Sequence, residues 1–486
     1  MLPDNNSSHD RAAEGRSADR MAPASRPVGG ERSAEPRSGR VEGATPGLHR
    51  SLSLRDLVVY GLLFIGPTST MGTFGVLDAR SHGAIALAYL LATVAVAFTA
   101  WSYARMSQAV PQAGSVFAYA SAGLGRRPGF IAGWMLGLDY LFMPALMSLI
   151  LGIAAHQLFG AVPVWVFTGC GILLMTLLNL AGVRTTATVS FVILAVEIAL
   201  LAVFVVAAVV VLVMHGPQRG WLSPLVGSGG FHLAGVLGAV SVAVLSFLGF
   251  DAIAGFAEET TGSSRGVARA LMFCLTLAGA LFVIQTYLGA LLSPRTPEYL
   301  AAHPDDQGTA FYQMLDSQIG TWMGTAVTLV KTIGPVFSAM VAQAAVSRLM
   351  YGMARAGSLP KGLSRVDPRT GTPRNAVLVS GAATVVIAVA SAVRPDGLGL
   401  LSSMVTVGAM VGFLFLHATV IGYYVRGRRT EQRVRHTVIP VVGGAVILIV
   451  LSQAAHPALV VGGLWLIAGA IVLVSRERRA KHFSTE

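Results

Sequence analysis

The sequence predicts an all-α integral membrane protein with twelve transmembrane helices. Of its 486 residues, 54% are hydrophobic and only 12% are charged, and the mean hydropathy is +0.66. A soluble domain carries about 25% charged residues. Apolar runs of about 18 residues or more, each long enough to cross a bilayer core of about 30 Å, recur along most of the chain. These observations exclude a soluble globular fold.

The first fifty residues differ from the rest of the chain. Residues 1–50 are rich in Ser, Gly, Pro, Arg and Glu and almost lack large apolar side chains, a composition that predicts a disordered tail. The first apolar run begins only near Leu57, which is too far from the start for a secretory signal peptide.

Twelve apolar spans follow this tail. They cover approximately residues 57–79, 83–104, 128–156, 161–181, 186–214, 232–257, 267–292, 320–350, 375–393, 398–425, 437–455 and 457–475.

The net charge of +12 is interpreted as a signal of orientation rather than of nucleic-acid binding. With the amino terminus inside, the cytoplasmic loops and tail hold 21 Lys and Arg residues, and the opposite loops hold 4. This asymmetry follows the positive-inside rule. It predicts a multi-pass protein of the cytoplasmic membrane, with the lipid bilayer as its environment and both termini in the cytoplasm.

Two spans carry helix-breaking residues in corresponding positions. Span 1 contains Gly66 and Pro67 followed by hydroxyl side chains, and span 6 has Gly249 and Gly255 around Asp251. Paired discontinuous helices indicate a transporter site, where free carbonyls and helix ends bind the substrate. Spans 1 and 6 are five apart, which predicts inverted repeats at 51–215 and 216–425, followed by two helices and a short tail at 426–486.

Four ionisable residues lie inside the spans, where a charge costs about 3 kcal/mol or more. Asp139 is either a structural cap or a cation partner, and Glu197 either hydrogen-bonds a neighbour or acts in function. Asp251 lies at the predicted break. Lys331 pairs with one of these acids, takes the place of a bound sodium ion, or meets a substrate carboxylate.

Two further acids follow span 6. Glu258 lies seven residues after Asp251, two turns away on the same face if the helix resumes. Such a pair could relay protons. Alternatively, Glu258 and Glu259 only cap the loop against Arg265 and Arg269.

Five segments resemble the amino acid–polyamine–organocation transporter superfamily, in particular its branch of bacterial putrescine importers. The segments are GLLFIGPTSTMGTFGVL, QAVPQAGSVFAYA, GWMLGLDYLFMP, SFLGFDAIAGFAEET and QAAVSRLMYGMARAGSLPKGLSRVDPRTGTPRNAV. The resemblance covers most of residues 55 to 430. It implies a LeuT-type fold, a small-molecule substrate held at the breaks of spans 1 and 6, and alternating access driven by a co-transported proton or cation.

The resemblance also implies roles for individual residues. Asp139 and Lys331 are expected to carry charge coupling because they are ionisable groups inside the spans, independently of the resemblance. The expected substrate-binding residues are Gly66, Pro67, Thr68, Ser69, Thr70, Met71, Tyr140, Phe247, Gly249, Phe250, Asp251 and Glu258.

Two departures bear on the substrate. Putrescine importers tend to have an acid where this chain has Gly72, and a neutral residue where it has Lys331. Losing a carboxylate and gaining an ammonium disfavours a dication, so a zwitterionic amino acid is favoured over putrescine.

The predicted function is import of an amino acid or polyamine, with a putrescine-specific importer or an exchanger as alternatives. A channel or a membrane enzyme fits less well, because no pore motif or catalytic cluster is evident. Cys170 and Cys274 lack metal-ligand spacing, and neither a metal nor a cofactor is expected. The oligomeric state stays open.

Overall fold

The structure is a computed structural model. It describes residues 48, 50–158, 161–394, 397–428, 431–452 and 456–482. The predicted disordered tail at 1–50 therefore lies almost entirely outside the described residues.

The described chain is helical, and its only β-type pairing is the isolated bridge between Leu52 and Thr260. Its longer helices are α1 Leu54–Ile65, α2 Ser69–Arg80, α3 Ile85–Ala109, α4 Val116–Gly123, α5 Arg126–Leu158, α6 Val164–Leu180, α7 Val183–His215 and α8 Leu233–Ala243. The second half continues with α9 Ser264–Leu292, α10 Ala310–Gln318, α11 Thr321–Arg355, α12 Arg374–Ala392, α13 Gly397–Val420, α14 Arg433–Ser452 and α15 His456–His482.

Ten helices in the described residues are long and apolar enough to cross a membrane. The pair α1 and α2, bent by 43° at its break, gives an eleventh candidate, and α6 is apolar but has only 17 residues. The protein is thus a multi-pass, all-helical membrane protein. The count of twelve spans stays a prediction.

Local sequence explains where several helices begin and end. Ser53 and Asp56 form a capping box at the start of α1, which satisfies amide groups that have no partner within the helix. Gly182 and Gly216 flank α7 with φ values of 110° and 75°, a backbone region in which a side chain is strained.

The helices divide into a central and a peripheral set. Helix α5 packs against α4, α6, α11, α12 and α13, and α3 packs closely on α9. By contrast, α7 and α14 expose large apolar side chains, including Val213 at 81% and Val434 at 76%. Such side chains are suited to contact with lipid.

The segment predicted as span 6 is not one continuous helix. After α8, a 3-10 turn covers Val244–Phe247, and short helical pieces follow at Ala252–Gly255 and Ala257–Glu259. Gly249 between them has φ 105°. The helix does not resume regularly, so the condition under which Glu258 would lie two turns from Asp251 on one helix face is not met.

Candidate functional site

The break between α1 and α2 is produced by Gly66 and Pro67. Gly66 ends α1 with φ 74°, and Pro67 has no amide hydrogen to continue the helix. Thr68 completes the turn, and Ser69 and Thr70 open α2. The Ser69 hydroxyl is buried and has no hydrogen-bond partner in the described structure. The break thus presents an unused polar group.

Side chains from two other helices bond the backbone carbonyls at this break. In a regular helix the carbonyl of Leu63 would accept a bond from residue 67, and here the Ser338 hydroxyl donates to it at 2.8 Å. The amide of Gln285 donates to the carbonyl of Pro67 at 2.7 Å, and its oxygen accepts from the Thr70 hydroxyl at 3.2 Å. These bonds stabilise an open backbone within a buried region.

Lys331 contributes the only cationic group at the break among the described residues. Its Nζ donates to the carbonyl oxygen of Thr68 at 3.4 Å. The structure shows the Lys331 ammonium held against a carbonyl oxygen of span 1. The three roles that the sequence left open for Lys331 stay predictions.

A buried carboxylate lies at the second interruption. The hydroxyl of Tyr103 donates to Asp251 Oδ2 at 3.0 Å, and the hydroxyl of Tyr140 donates to the same oxygen. Asp251 is fully buried, and its Oδ1 has no hydrogen-bond partner in the described structure. Asp139 precedes Tyr140 on α5 and is also buried. The Oδ1 atom of Asp251 is therefore free to accept a hydrogen bond.

The two interruptions are in contact through Phe64. A Cβ atom added at Gly249 would lie 2.6 Å from the ring of Phe64, so only glycine allows this approach. The Phe64 ring lies 6.5 Å from that of Tyr140. Phe64, two residues before the α1–α2 break, therefore packs between Gly249 and Tyr140, which donates to Asp251.

Aromatic rings enclose this region. Phe250 meets Tyr103 at a centroid distance of 5.8 Å, and both rings pack against Phe413. Phe247, also predicted to bind substrate, packs on Phe282 of α9 at 5.0 Å. Met71 is buried at the start of α2.

Glu258 is placed apart from Asp251. Its carboxylate pairs with Arg355 at the end of α11, with one bond of 2.8 Å, and accepts the amide hydrogen of Ala113 at 3.1 Å. Glu259 beside it forms a buried ion pair with Arg348 at 2.6 Å. The arginines of α11, rather than Arg265 and Arg269, are thus the partners of these acids. We call this end of the bundle, defined by Glu258, Glu259, Arg348 and Arg355, the basic end.

The opposite end is also joined by ion pairs. Asp78, at the end of α2, is buried against Arg219 at 2.8 Å. Arg295 pairs with Asp306 at 2.9 Å in the loop before α10. The Tyr299 hydroxyl and the charge of Arg295 hold the pKa of Asp306 below its usual range. The first contact ties α2 to the loop after α7, and the second lies within the segment between α9 and α10.

Other polar groups of the sequence do not form a reaction centre. His417 is held by the hydroxyls of Thr99 at 3.2 Å and Ser102 at 3.0 Å. Within the described ranges, no group of three His, Cys, Asp or Glu side chains is arranged to hold a metal ion.

Sequence reasoning missed three residues of the site. Tyr103, Gln285 and Ser338 were not singled out, although each contacts Asp251 or the break. The one available signal was polarity, since Gln285 is an amide inside an apolar span. Tyrosine and serine are too common in membrane helices to stand out.

Comparison with known proteins identifies the family of the chain. The amino acid permease family model matches residues 57–473. The chain belongs to the amino acid permease family. This family consists of transporters, not enzymes, so a small-molecule amino acid or polyamine substrate is implied.

Individual relatives are distant but cover most of the chain. The low-affinity putrescine importer PlaP of Escherichia coli is 28% identical over 445 residues, which are 90% of this chain and 95% of the importer. The branched-chain amino acid permease BcaP of Lactococcus lactis is 25% identical, covering 88% and 95%. The methylthioribose transporter of Bacillus subtilis is 24% identical, covering 81% and 86%.

Proposed function

We propose that this permease is a secondary active transporter that imports an amino acid or a polyamine across the cytoplasmic membrane. Transport proceeds by alternating access and is coupled to protons. The observation that carries the proposal is the buried Asp251 Oδ1, which lacks a partner beside the break in span 1. An unpaired buried carboxylate oxygen is costly, and a substrate ammonium group would satisfy it.

The proposed architecture is the LeuT-type arrangement of twelve spans in two five-helix repeats plus two helices. Helices α1 and α2 together form span 1, and α6 counts as the short span 4. The 43° bend between α1 and α2 supports a broken first span, and the irregular backbone around Gly249 supports a broken sixth span. Both termini are cytoplasmic in this arrangement, and the basic end faces the cytoplasm.

The proposed substrate site lies between these two breaks. Asp251 binds the substrate amine, while the backbone and hydroxyl groups from Gly66 to Met71 bind its other polar groups. Tyr140 and Phe250 close over the substrate, and Asp139 adds a second buried carboxylate nearby. Phe247, Gly249 and Glu258 complete the predicted set: the first two shape the region around Asp251, and Glu258 acts at the cytoplasmic opening.

Alternating access requires contacts that open at one end while those at the other end close. The Glu258–Arg355 and Glu259–Arg348 pairs hold the basic end together, and the Asp78–Arg219 pair does so at the opposite end. We infer that these ion pairs are broken and remade during the transport cycle.

The substrate class is tested by thermal unfolding of the purified protein against single amino acids and putrescine. A compound present at 100 times its dissociation constant stabilises the native state by about 2.7 kcal/mol. Asp251→Asn keeps the shape of the side chain and an acceptor for the two tyrosines, yet we expect it to lose this stabilisation. Asp316→Asn, at an exposed acid, is the matched control and keeps it.

Two outcomes contradict the proposal. If no amino acid or polyamine stabilises the wild type, the substrate class is wrong. If Asp251→Asn is stabilised as much as the control, Asp251 does not bind the substrate.

A further inference from the structure

Glu197 of α7 is a buried acid that the proposed substrate site does not use. Its side chain is 3% exposed, and its Oε2 has no hydrogen-bond partner in the described structure. A Cβ atom added at Gly334 of α11 would lie 2.8 Å from Glu197 Oε1. The glycine therefore makes room for a carboxylate between two packed helices.

Lys331 lies one helical turn before Gly334, on the same face of α11. Lys331 and Glu197 act on each other electrostatically, and each is the one ionisable group that does so for the other in the described chain. They form no direct salt bridge, because the Lys331 ammonium is directed toward the carbonyl of Thr68. Lys331 thus stands between the carboxylate of Glu197 and the helix break.

The helices packed on α7 bring no other charge to this position. They are α1, α6, α9 and α11, and Phe311 of α10, a helix whose one charged residue is the exposed Asp316, packs on Phe204 of α7. Helix α6 has no charged residue, and the charges of the others lie near helix ends. On α1 they are Arg55, which covers the Phe191 ring at 3.9 Å, and Asp56 in the first turn. On α9 they are Arg265 and Arg269 in the first turns, and on α11 they are Arg348 and Arg355 at the basic end.

The pair formed by buried Glu197 and half-buried Lys331 links proton binding to the charge at the break. While Glu197 is ionised, its negative charge balances the ammonium of Lys331. When a proton neutralises Glu197, the positive charge of Lys331 faces the break uncompensated, and in a buried region that charge attracts an anionic group strongly. By reciprocity, an anionic group bound at the break strengthens proton binding at Glu197 to the same extent.

We propose that Glu197 is the proton-binding group of this transporter, and that its protonation frees Lys331 to bind a carboxylate group of the substrate at the break. This inference rests on the proposed function and specifies both its coupling ion and its substrate class, an amino acid. One proton from the outer solution binds the Glu197 carboxylate, crosses with one substrate molecule, and leaves to the cytoplasm after the substrate does.

The test uses the full-length protein in proteoliposomes with two probes in separate assays: an equimolar mixture of radiolabelled L-amino acids, and radiolabelled putrescine. Accumulation under an inward proton gradient and exchange without a gradient are both measured. Glu197→Gln removes the proton site, and Glu197→Gln/Lys331→Gln removes both charges and so leaves none unpaired. Glu298→Gln, the same change at an exposed acid, is the control.

We expect wild type and control to accumulate amino acids. Their KM is expected to rise by up to about tenfold for each unit by which the outer pH is raised, as linkage to one proton requires. Glu197→Gln is expected to keep exchange, to lose gradient-driven accumulation, and to show a KM that changes less than twofold over the same pH range. The double variant has a KM that is likewise insensitive to pH, and it binds amino acids more weakly than Glu197→Gln does.

The outcomes separate this inference from the proposed function. Accumulation by Glu197→Gln at the wild-type level overturns the inference and leaves the transport function intact. Loss of exchange in both variants also overturns the inference and leaves the transport function intact. Proton-driven uptake of putrescine alone does the same, because putrescine has no carboxylate. A wild-type protein that neither accumulates nor exchanges either probe overturns the proposed function itself, and the inference with it.

Discussion

The ion pair between Glu259 and Arg348 gives the sharpest prediction about stability. Arg348 Nε donates to Glu259 Oε1 at 2.6 Å and Nη2 donates to Oε2 at 3.1 Å, with side chains 0% and 3% exposed. The guanidinium also donates to the carbonyl of Ala344 at 3.2 Å and lies over the Phe256 ring. Arg348 is therefore fixed in place and cannot reach water when its partner is lost.

Glu259→Gln removes the negative charge and leaves this arginine buried and uncompensated. Removal of one partner from a buried ion pair costs about 3–5 kcal/mol. Since the amide oxygen still accepts one bond, we expect a loss near the lower end, about 3 kcal/mol. Glu258→Gln makes the same chemical change one residue earlier, where Arg355 is 38% exposed, and we expect a loss of about 1 kcal/mol or less.

The assay is the free energy of unfolding measured by titration with SDS in detergent micelles. The double variant Glu259→Gln/Arg348→Gln leaves no unpaired charge and is expected to recover about 2 kcal/mol relative to Glu259→Gln alone. Equal losses for Glu258→Gln and Glu259→Gln, or strictly additive effects in the double variant, would refute this reasoning.

Three further predictions use the same measurement. Gly66→Ala places a side chain at φ 74° and is expected to cost about 1–2 kcal/mol, and a neutral result would mean that the break is not held in this conformation. Gln285→Leu leaves the carbonyl of Pro67 without its donor, with an expected loss of about 1–3 kcal/mol, and no loss would indicate another donor. Asp78→Asn leaves the buried Arg219 without its partner and is expected to cost about 3 kcal/mol or more. A loss below about 1 kcal/mol would argue against a buried Asp78–Arg219 ion pair.

The sequence was most informative about features that depend on backbone chemistry. Gly66 and Pro67 mark the end of α1 because proline lacks an amide hydrogen and glycine tolerates positive φ. Gly249, two residues before Asp251, likewise coincides with irregular backbone, at φ 105°. Such local requirements are visible in a single sequence, because they involve neighbouring residues only.

Partners distant in sequence were the part that the sequence could not supply. Ser338 reaches the carbonyl of Leu63 across 275 positions, and Arg355 reaches Glu258 across 97. Which helix faces which depends on the packing of the whole bundle, so the sequence could offer only the nearby Arg265 and Arg269 as one possible set of partners. The short 17-residue α6 and the bend in span 1 similarly leave the number of spans dependent on how each is counted.

Charge at the substrate site shows how tertiary structure changes a sequence argument. From sequence, Lys331 was a single positive charge that disfavours a dication. In the structure it bonds Thr68 and interacts with Glu197, so its effective charge at the break depends on whether Glu197 carries a proton. Under the proposed mechanism, the preference for an amino acid over putrescine therefore depends on pH.

The most direct test of the central claim is uptake by the wild-type protein in proteoliposomes under an imposed inward proton gradient. The account predicts saturable accumulation of an amino acid or a polyamine above its outside concentration, which collapses when a protonophore dissipates the gradient. Flux that does not saturate and is indifferent to the gradient would contradict the account and indicate a channel.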